Sequence, residues 1–117
     1  MHSNFWKTQN PPKTPYYAVI FVSEKSNNLE GFYEMDEIIL ELAKKEDGFL
    51  GYETVGNPPH NLFVSYWKDM DAIEKWKHNT LHVEAKKEGY NKWYNRLLTQ
   101  ICKVEYCNEF IRKKENI

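Results

Sequence analysis

Tyr16 to Ser23 is a nearly unbroken run of β-branched and aromatic residues. That pattern suits a strand covered on both faces, hence a central one. Asn27, Asn28 and Gly31 then mark a loop. Phe32, Met35, Ile38, Ile39 and Leu42 recur at three- and four-residue steps, with Glu34, Glu37, Glu41 and Lys45 between them. The spacing predicts an amphipathic helix that stops at Asp47-Gly48, where glycine suits a left-handed cap. Phe49 to Val55 reads as a second strand. Asn57-Pro58-Pro59-His60-Asn61 reads as a turn, because prolines cannot continue a ladder. Leu62 to Trp67 is a third strand, antiparallel to the second. Asp69 is a helix N-cap, followed by Ala72, Ile73, Trp76 and Val83 on one broad helical face. Gly89 interrupts it, and Trp93-Tyr94 with Leu97-Leu98 suggest a further short helical stretch. Thr99 to Phe110 alternates. Cys102, Val104, Tyr106 and Phe110 fall on one side and Lys103, Glu105 and Glu109 on the other, as in a half-exposed last strand.

The order is β-α-β-β-α-β, the ferredoxin-like α+β unit. Its helices cover one face of the sheet, and the chain has no spare element for the other. A second copy of the chain, packed back to back, is the expected cover, so a homodimer with a barrel-like sheet pair is predicted. Residues 1–14 are a proline-containing extended arm, in which Phe5 and Trp6 would dock on the same subunit or on a neighbour. Residues 15–111 form the domain, and 112–117 a charged tail.

A length of 117 residues suits one domain, and an aromatic content of 15% gives so short a chain enough bulk for a core. The net charge of −1 offers no bulk attraction for phosphate and argues against nucleic acid. Lys86-Lys87 and Arg112-Lys113-Lys114 sit beside Glu84, Glu88 and Glu115 and read as solvated faces. Cys102 and Cys107, five apart in a segment read as strand, point to opposite faces and should not bridge, which fits a reducing, cytoplasmic setting. The N-terminus lacks the apolar core of a secretion signal, and no apolar run is long enough for a membrane span. Glycine-rich phosphate loops and the Gly-x-Ser-x-Gly elbow do not occur.

Where the third strand meets the second helix, aromatic rings gather around one imidazole. His82 can move a proton near neutral pH, or it can tie a helix end to its neighbour. Trp67, Trp76 and Trp93 can wall an apolar pocket or fill a core. Tyr94 can present a hydroxyl beside them. Tyr66 and Trp67 alternate, so only one faces the helices. His78 and His82, read on one helix with Glu74 a turn back, have metal-ligand spacing, but Lys75 and Lys77 oppose a cation and no metal is assigned. His60 reads as exposed in its turn. His2 and Asn4 receive no role.

Pro15 to Phe21, Gly48 to Glu53, Ser65-Tyr66-Trp67, Trp76-Lys77, His82, Ala85, Gly89, Trp93-Tyr94, Ile101 and Val104-Glu105 together carry a resemblance. On these residues the chain resembles the antibiotic biosynthesis monooxygenase (ABM) superfamily of dimeric α/β-barrel proteins over residues 15–110. The resemblance implies the dimeric barrel. It also implies a small oxygenase that oxidises an aromatic or polycyclic molecule without a cofactor, with His82 and Tyr94 catalytic and Tyr66, Trp67, Trp76, Asn79 and Trp93 lining the pocket. The superfamily also contains haem-degrading enzymes and members with no known activity, so haem binding and a non-enzymatic dimeric ligand-binding or stress role are the alternatives. The resemblance is to a poorly characterised bacterial branch of that superfamily, and three positions depart from its pattern: Asn79 where histidine is expected, Tyr106 in place of arginine and Asn108 in place of tyrosine.

Overall fold

The computed structural model describes residues 6–8 and 10–112. The expectations for His2, Asn4, Phe5 and the tail beyond Arg112 lie outside the described residues. The elements are β1 (Tyr16–Lys25), α1 (Phe32–Lys44), β2 (Phe49–Asn57), β3 (His60–Trp67), α2 (Met70–Lys77), α3 (Thr80–Glu88), a π-helical turn (Gly89–Trp93) and β4 (Tyr94–Val104). The four strands form one antiparallel sheet in the order β2-β3-β1-β4. This is the ferredoxin-like arrangement, with the predicted second helix divided in two.

β1 is central, as its run of β-branched and aromatic residues predicted. Tyr17 and Val19 face the helices, with Trp67 and Phe49 on the neighbouring strands. Tyr16, Ala18, Ile20 and Val22 face the other way, opposite Tyr66, Val64 and Leu62 of β3 and Cys102, Gln100 and Leu98 of β4. Here the expectation of burial on both faces is only half met. Ile20 and Val22 remain half-buried, and Leu62 and Leu98 are exposed, because no helix or strand among the described residues lies over that side. At one end the N-terminal arm does reach it. Trp6 packs against Tyr66 with ring centroids 4.8 Å apart and edge-on to Tyr16 at 6.0 Å. It also forms a bridge with Gly51, and the Lys7 amide donates to the Leu50 carbonyl at 2.7 Å.

β1, β2 and β3 run about two residues further than predicted, to Lys25, to Asn57 and back to His60, and α1, β4 and the second helix also depart from their predicted limits. α1 stops at Lys44, and Gly48 is not a left-handed cap; a Cβ there would stand 2.2 Å from the Ala72 Cβ. Glycine is needed at this position because α2 approaches the chain so closely. The single positive φ among the described residues, 77°, is at Gly31, the N-cap of α1. β4 begins at Tyr94, so Leu97 and Leu98 are strand rather than helix, and it ends at Val104. Val104 pairs with Tyr16, the first residue after Pro15, and proline has no N–H with which to extend the ladder. Tyr106 and Phe110 consequently leave the sheet and are 80% and 73% exposed. The second helix breaks because Asn79 caps a new one. Its side-chain oxygen accepts from the Leu81 and His82 amides at 3.0 and 3.3 Å, in extended backbone geometry. The restart shifts the helical phase, so Val83 is exposed instead of continuing the Ala72–Ile73–Trp76 face. Asp69 caps α2 as expected, accepting from the Ala72 amide at 2.8 Å.

Gly48→Ala should lower stability by about 1–3 kcal/mol, because the added methyl overpacks against the Ala72 methyl. Urea denaturation measures this, and a midpoint equal to wild type would show that α2 can slide away at no cost.

Candidate functional site

The core on the helix side is organised by aromatic packing. Trp67 is 1% exposed and meets Phe49 edge-on at 5.4 Å. Its Nε1–H donates to the Ser65 hydroxyl at 2.9 Å, which leaves the indole with no unmet polar group. Trp76 of α2 stacks over Trp67 at 5.9 Å, and His82 of α3 stacks over Trp76 at 4.6 Å with only 16° between the planes. The imidazole is thus the outermost layer of a column rooted in the sheet.

The second polar contact of His82 fixes its chemistry. Its Nδ1 lies 3.0 Å from the Trp76 carbonyl oxygen. A carbonyl only accepts, so in the neutral ring Nδ1 carries the hydrogen and Nε2 keeps its lone pair. Burial lowers the His82 pKa below the usual imidazole value; the bond to Trp76 opposes this and Lys86 adds to it. Near neutral pH the residue is therefore an uncharged base with one assigned basic nitrogen. The predicted pairing of His78 and His82 on one helix face is not formed, since His78 caps the end of α2 while His82 belongs to α3. Among the described residues, no group of three or more His, Cys, Asp or Glu side chains is gathered as for a metal ion.

Tyr94 lies at the other end of α3. Its ring meets Phe21 and Phe32 edge-on at 6.0 Å each. It also lies so near Gly89 that a Cβ there would stand 3.0 Å from the Tyr94 ring. From His82 to Gly89 the helix advances about 10 Å, so the two candidate catalytic groups stand well apart. Burial raises the Tyr94 pKa far above the usual phenol value, and the Asp36 carboxylate raises it further. The residue stays protonated and can serve as a hydrogen-bond donor. Trp93 is buried; its Nε1–H donates to the Glu30 carbonyl at 2.8 Å, and its ring meets Phe32.

Tyr66 and Trp67 are divided between the two faces. Trp67 points to the helices, whereas Tyr66 joins Trp6 and Tyr16 on the far side and donates to Glu53 Oε1 at 2.9 Å. The oxygen of Asn79 is engaged as a helix cap. Of the seven residues singled out from sequence, the structure therefore brings Trp67, Trp76 and His82 into one column and Trp93 and Tyr94 into a second cluster.

The sequence model for the monooxygenase af470-like family matches residues 18–110, and this span includes both aromatic clusters. The chain belongs to the monooxygenase af470-like family. It is 44% identical over 95 residues to the uncharacterised protein YqjZ of Bacillus subtilis, covering 80% of this chain and 83% of that protein. In fold it is similar to a mutant form of SnoaB, a cofactor-independent oxygenase from Streptomyces nogalater, with a TM-score of 0.68 at 7% identity over 80% of this chain and 97% of that one. A putative antibiotic biosynthesis monooxygenase from Nitrosomonas europaea gives 0.66 at 14% identity, covering 83% and 96% of the two chains. The ABM resemblance and the ferredoxin-like fold are thus both met.

Two residues of this family member were not legible as site residues. Asp36 falls between Glu34 and Glu37 and reads as one more solvated charge. In the structure it lies one turn after Phe32 on the stripe that continues to Ile39 and Ala43, and burial raises its pKa while Lys25 lowers it. Lys25 ends β1, with its ammonium 5.2 Å from the Phe32 ring centre. The one available signal was the i, i+4 step from Phe32 to Asp36.

His82 binds its proton less readily in the folded chain than in the unfolded one. Its contribution to stability is therefore complete above the ordinary imidazole value of about 6.5 and is lost as pH falls through the lowered folded value. Between about pH 7 and pH 5 wild type should lose stability relative to His82→Gln. Urea midpoints across that range read the difference; parallel curves would mean that His82 titrates as if unfolded.

Proposed function

We propose that this family member is an ABM-type oxygenase that oxidises an electron-rich aromatic or polycyclic compound with dioxygen, without metal or flavin. The observation that carries the reading is the fixed tautomer of His82, an uncharged base stacked on tryptophan with its Nε2 lone pair assigned. On this reading Nε2 takes a proton from an acidic carbon or a phenol of the substrate. The resulting anion gives one electron to dioxygen, the two radicals combine as a peroxide anion, and His82 returns its proton to give the hydroperoxide. Loss of water then leaves a carbonyl. For a carbon acid two C–H bonds are replaced by one C=O; for a phenol one O–H and one C–H are lost and a quinone-type product forms; in either case one water leaves and all four electrons accepted by dioxygen come from the substrate. Tyr94 remains protonated and donates to a substrate oxygen. The separation of His82 and Tyr94 along α3 is one that a fused polycycle spans and a single ring does not. The aromatic surroundings exclude water and favour such a substrate.

The apolar strip of Ile20, Val22, Leu62, Val64 and Leu98 supports a homodimer as the working form, with the uncovered sides of two sheets facing each other. The free thiols of Cys102 and Cys107 support a reducing, cytoplasmic setting.

The same nitrogen supports a second reading. A histidine whose Nδ1–H is held by a carbonyl offers Nε2 to a metal, so His82 would be the residue that holds haem iron. A Soret shift on haemin titration that His82→Ala abolishes would favour it.

Oxygen uptake on anthrone- and quinol-type compounds tests the first reading. His82→Ala should lower kcat/KM by about 100-fold or more, the usual contribution of a positioned base. No uptake by folded wild type across that panel would favour a non-enzymatic ligand-binding role. Sedimentation at micromolar concentration should give a dimer; a stable single subunit would remove the dimer from the proposal.

A further inference from the structure

His82 stacks on Trp76, six residues earlier in the chain, with ring centroids 4.6 Å apart. A continuous α-helix forbids that contact. Six residues advance about 9 Å along the axis and turn the side chain by about 240°, away from the face it started on. The stack exists because α2 ends at Lys77 and α3 starts afresh at Thr80. The interruption also frees an acceptor. In an unbroken helix the Thr80 amide would bond the Trp76 carbonyl. Here that carbonyl accepts from the Asn79 amide at 3.1 Å and has a second lone pair for His82, whose Nδ1 lies 3.0 Å away. Asn79 makes the restart. Its backbone is extended, with φ −61° and ψ 129°, and its side-chain oxygen accepts from the Leu81 and His82 amides. One side chain thus anchors the His82 backbone, and the carbonyl exposed by the break anchors the His82 ring.

We propose that Asn79 is the positioning residue of His82: by closing one helix and opening the next, it leaves the Trp76 carbonyl free to hold Nδ1–H and so makes Nε2 the base. Asn79 touches no reacting atom in this role. It acts through the helix break, which sets both the stacking of the imidazole and the nitrogen that carries its hydrogen. Without the break, the Trp76 carbonyl returns to the helix ladder, and the ring loses the acceptor that distinguishes its two tautomers. For its effect on catalysis the proposal rests on the oxygenase reading; for the tautomer it does not.

Nitrogen-15 spectra of the His82 ring, identified by their loss in His82→Gln and recorded above about pH 8 where imidazole is neutral, read the tautomer directly. Wild type should show the Nδ1–H form alone. Asn79→Ala should show both forms in exchange, and Asn79→Ser, a neutral cap of similar rank, should restore the single form. Thr80→Pro added to Asn79→Ala should restore it without any cap oxygen. Proline has no amide to give to Trp76, suits the first helical position and keeps the preceding residue extended. Thr80 is exposed, so the exchange removes no packing. In oxygen uptake on anthrone-type compounds, Asn79→Ala should lower kcat by about tenfold with little change in KM. A lone Nδ1–H form in folded Asn79→Ala would overturn the proposal, whatever stability that variant loses. So would a mixture in the double variant, which keeps the break even where Asn79→Ala alone does not fold. The expected spectra with no oxygen uptake keep Asn79 in this role and retire the oxygenase. A mixture in wild type removes the role and the assigned base together.

Discussion

The packing of Trp67 is the interaction on which the site depends. This ring is the most enclosed large side chain described in the protein, and it joins three parts of the chain. Below it lies Phe49, which anchors β2 to β3; above it lies Trp76, which seats α2; and on Trp76 rests His82, in the opening turn of α3. The bond from its indole to Ser65 removes the penalty for burying a polar N–H. An imidazole on an isolated helix turn would rotate freely and exchange its tautomers in water. Here one face is held by indole and one nitrogen by a carbonyl, so its orientation and proton position are set by packing.

A second constraint acts at the other end of α3. The loop after β1 is fastened to the π-helical turn from several directions. The Ser26 amide donates to the Trp93 carbonyl at 2.8 Å, the Ser26 hydroxyl to the Lys92 carbonyl, and the Trp93 indole to Glu30. Lys92 meets Glu88 at 3.0 Å and Glu30 at 3.5 Å at the surface. Such exposed pairs contribute little by themselves, but the backbone bonds hold the start of α1 against the start of β4. That places Phe32 beside Tyr94. π-helical turns recur at functional positions because they redirect the chain over a short distance. Here the turn delivers Tyr94 directly from helix into strand.

The general architecture was legible because periodicity reports burial. The run from Tyr16 to Ser23 identifies the central strand, and the steps from Phe32 to Leu42 identify α1. Asp69 is readable as a cap because it precedes an apolar helical face. Asn79 reads as a pocket residue only through the family resemblance, although asparagine before a helix is a common start signal. Without that cap α2 and α3 read as one helix, which produces the mistaken His78–His82 face. The placement of His82 on Trp76 depends on how two helices meet, and pattern along one chain holds no such information. The same is true of Tyr66, whose neighbour Trp6 lies far away in sequence.

Trp6 and Lys7 do more than fill space beside Tyr66. They are bonded to the outer margin of β2 at Leu50 and Gly51, on one of the two borders where a sheet of this order could recruit a foreign strand. With that border blunted, ladder growth is steered to β4, whose outer border carries Arg96 and Lys103. The arm thus guards that border against end-to-end polymerisation and leaves most of the sheet's flat side uncovered.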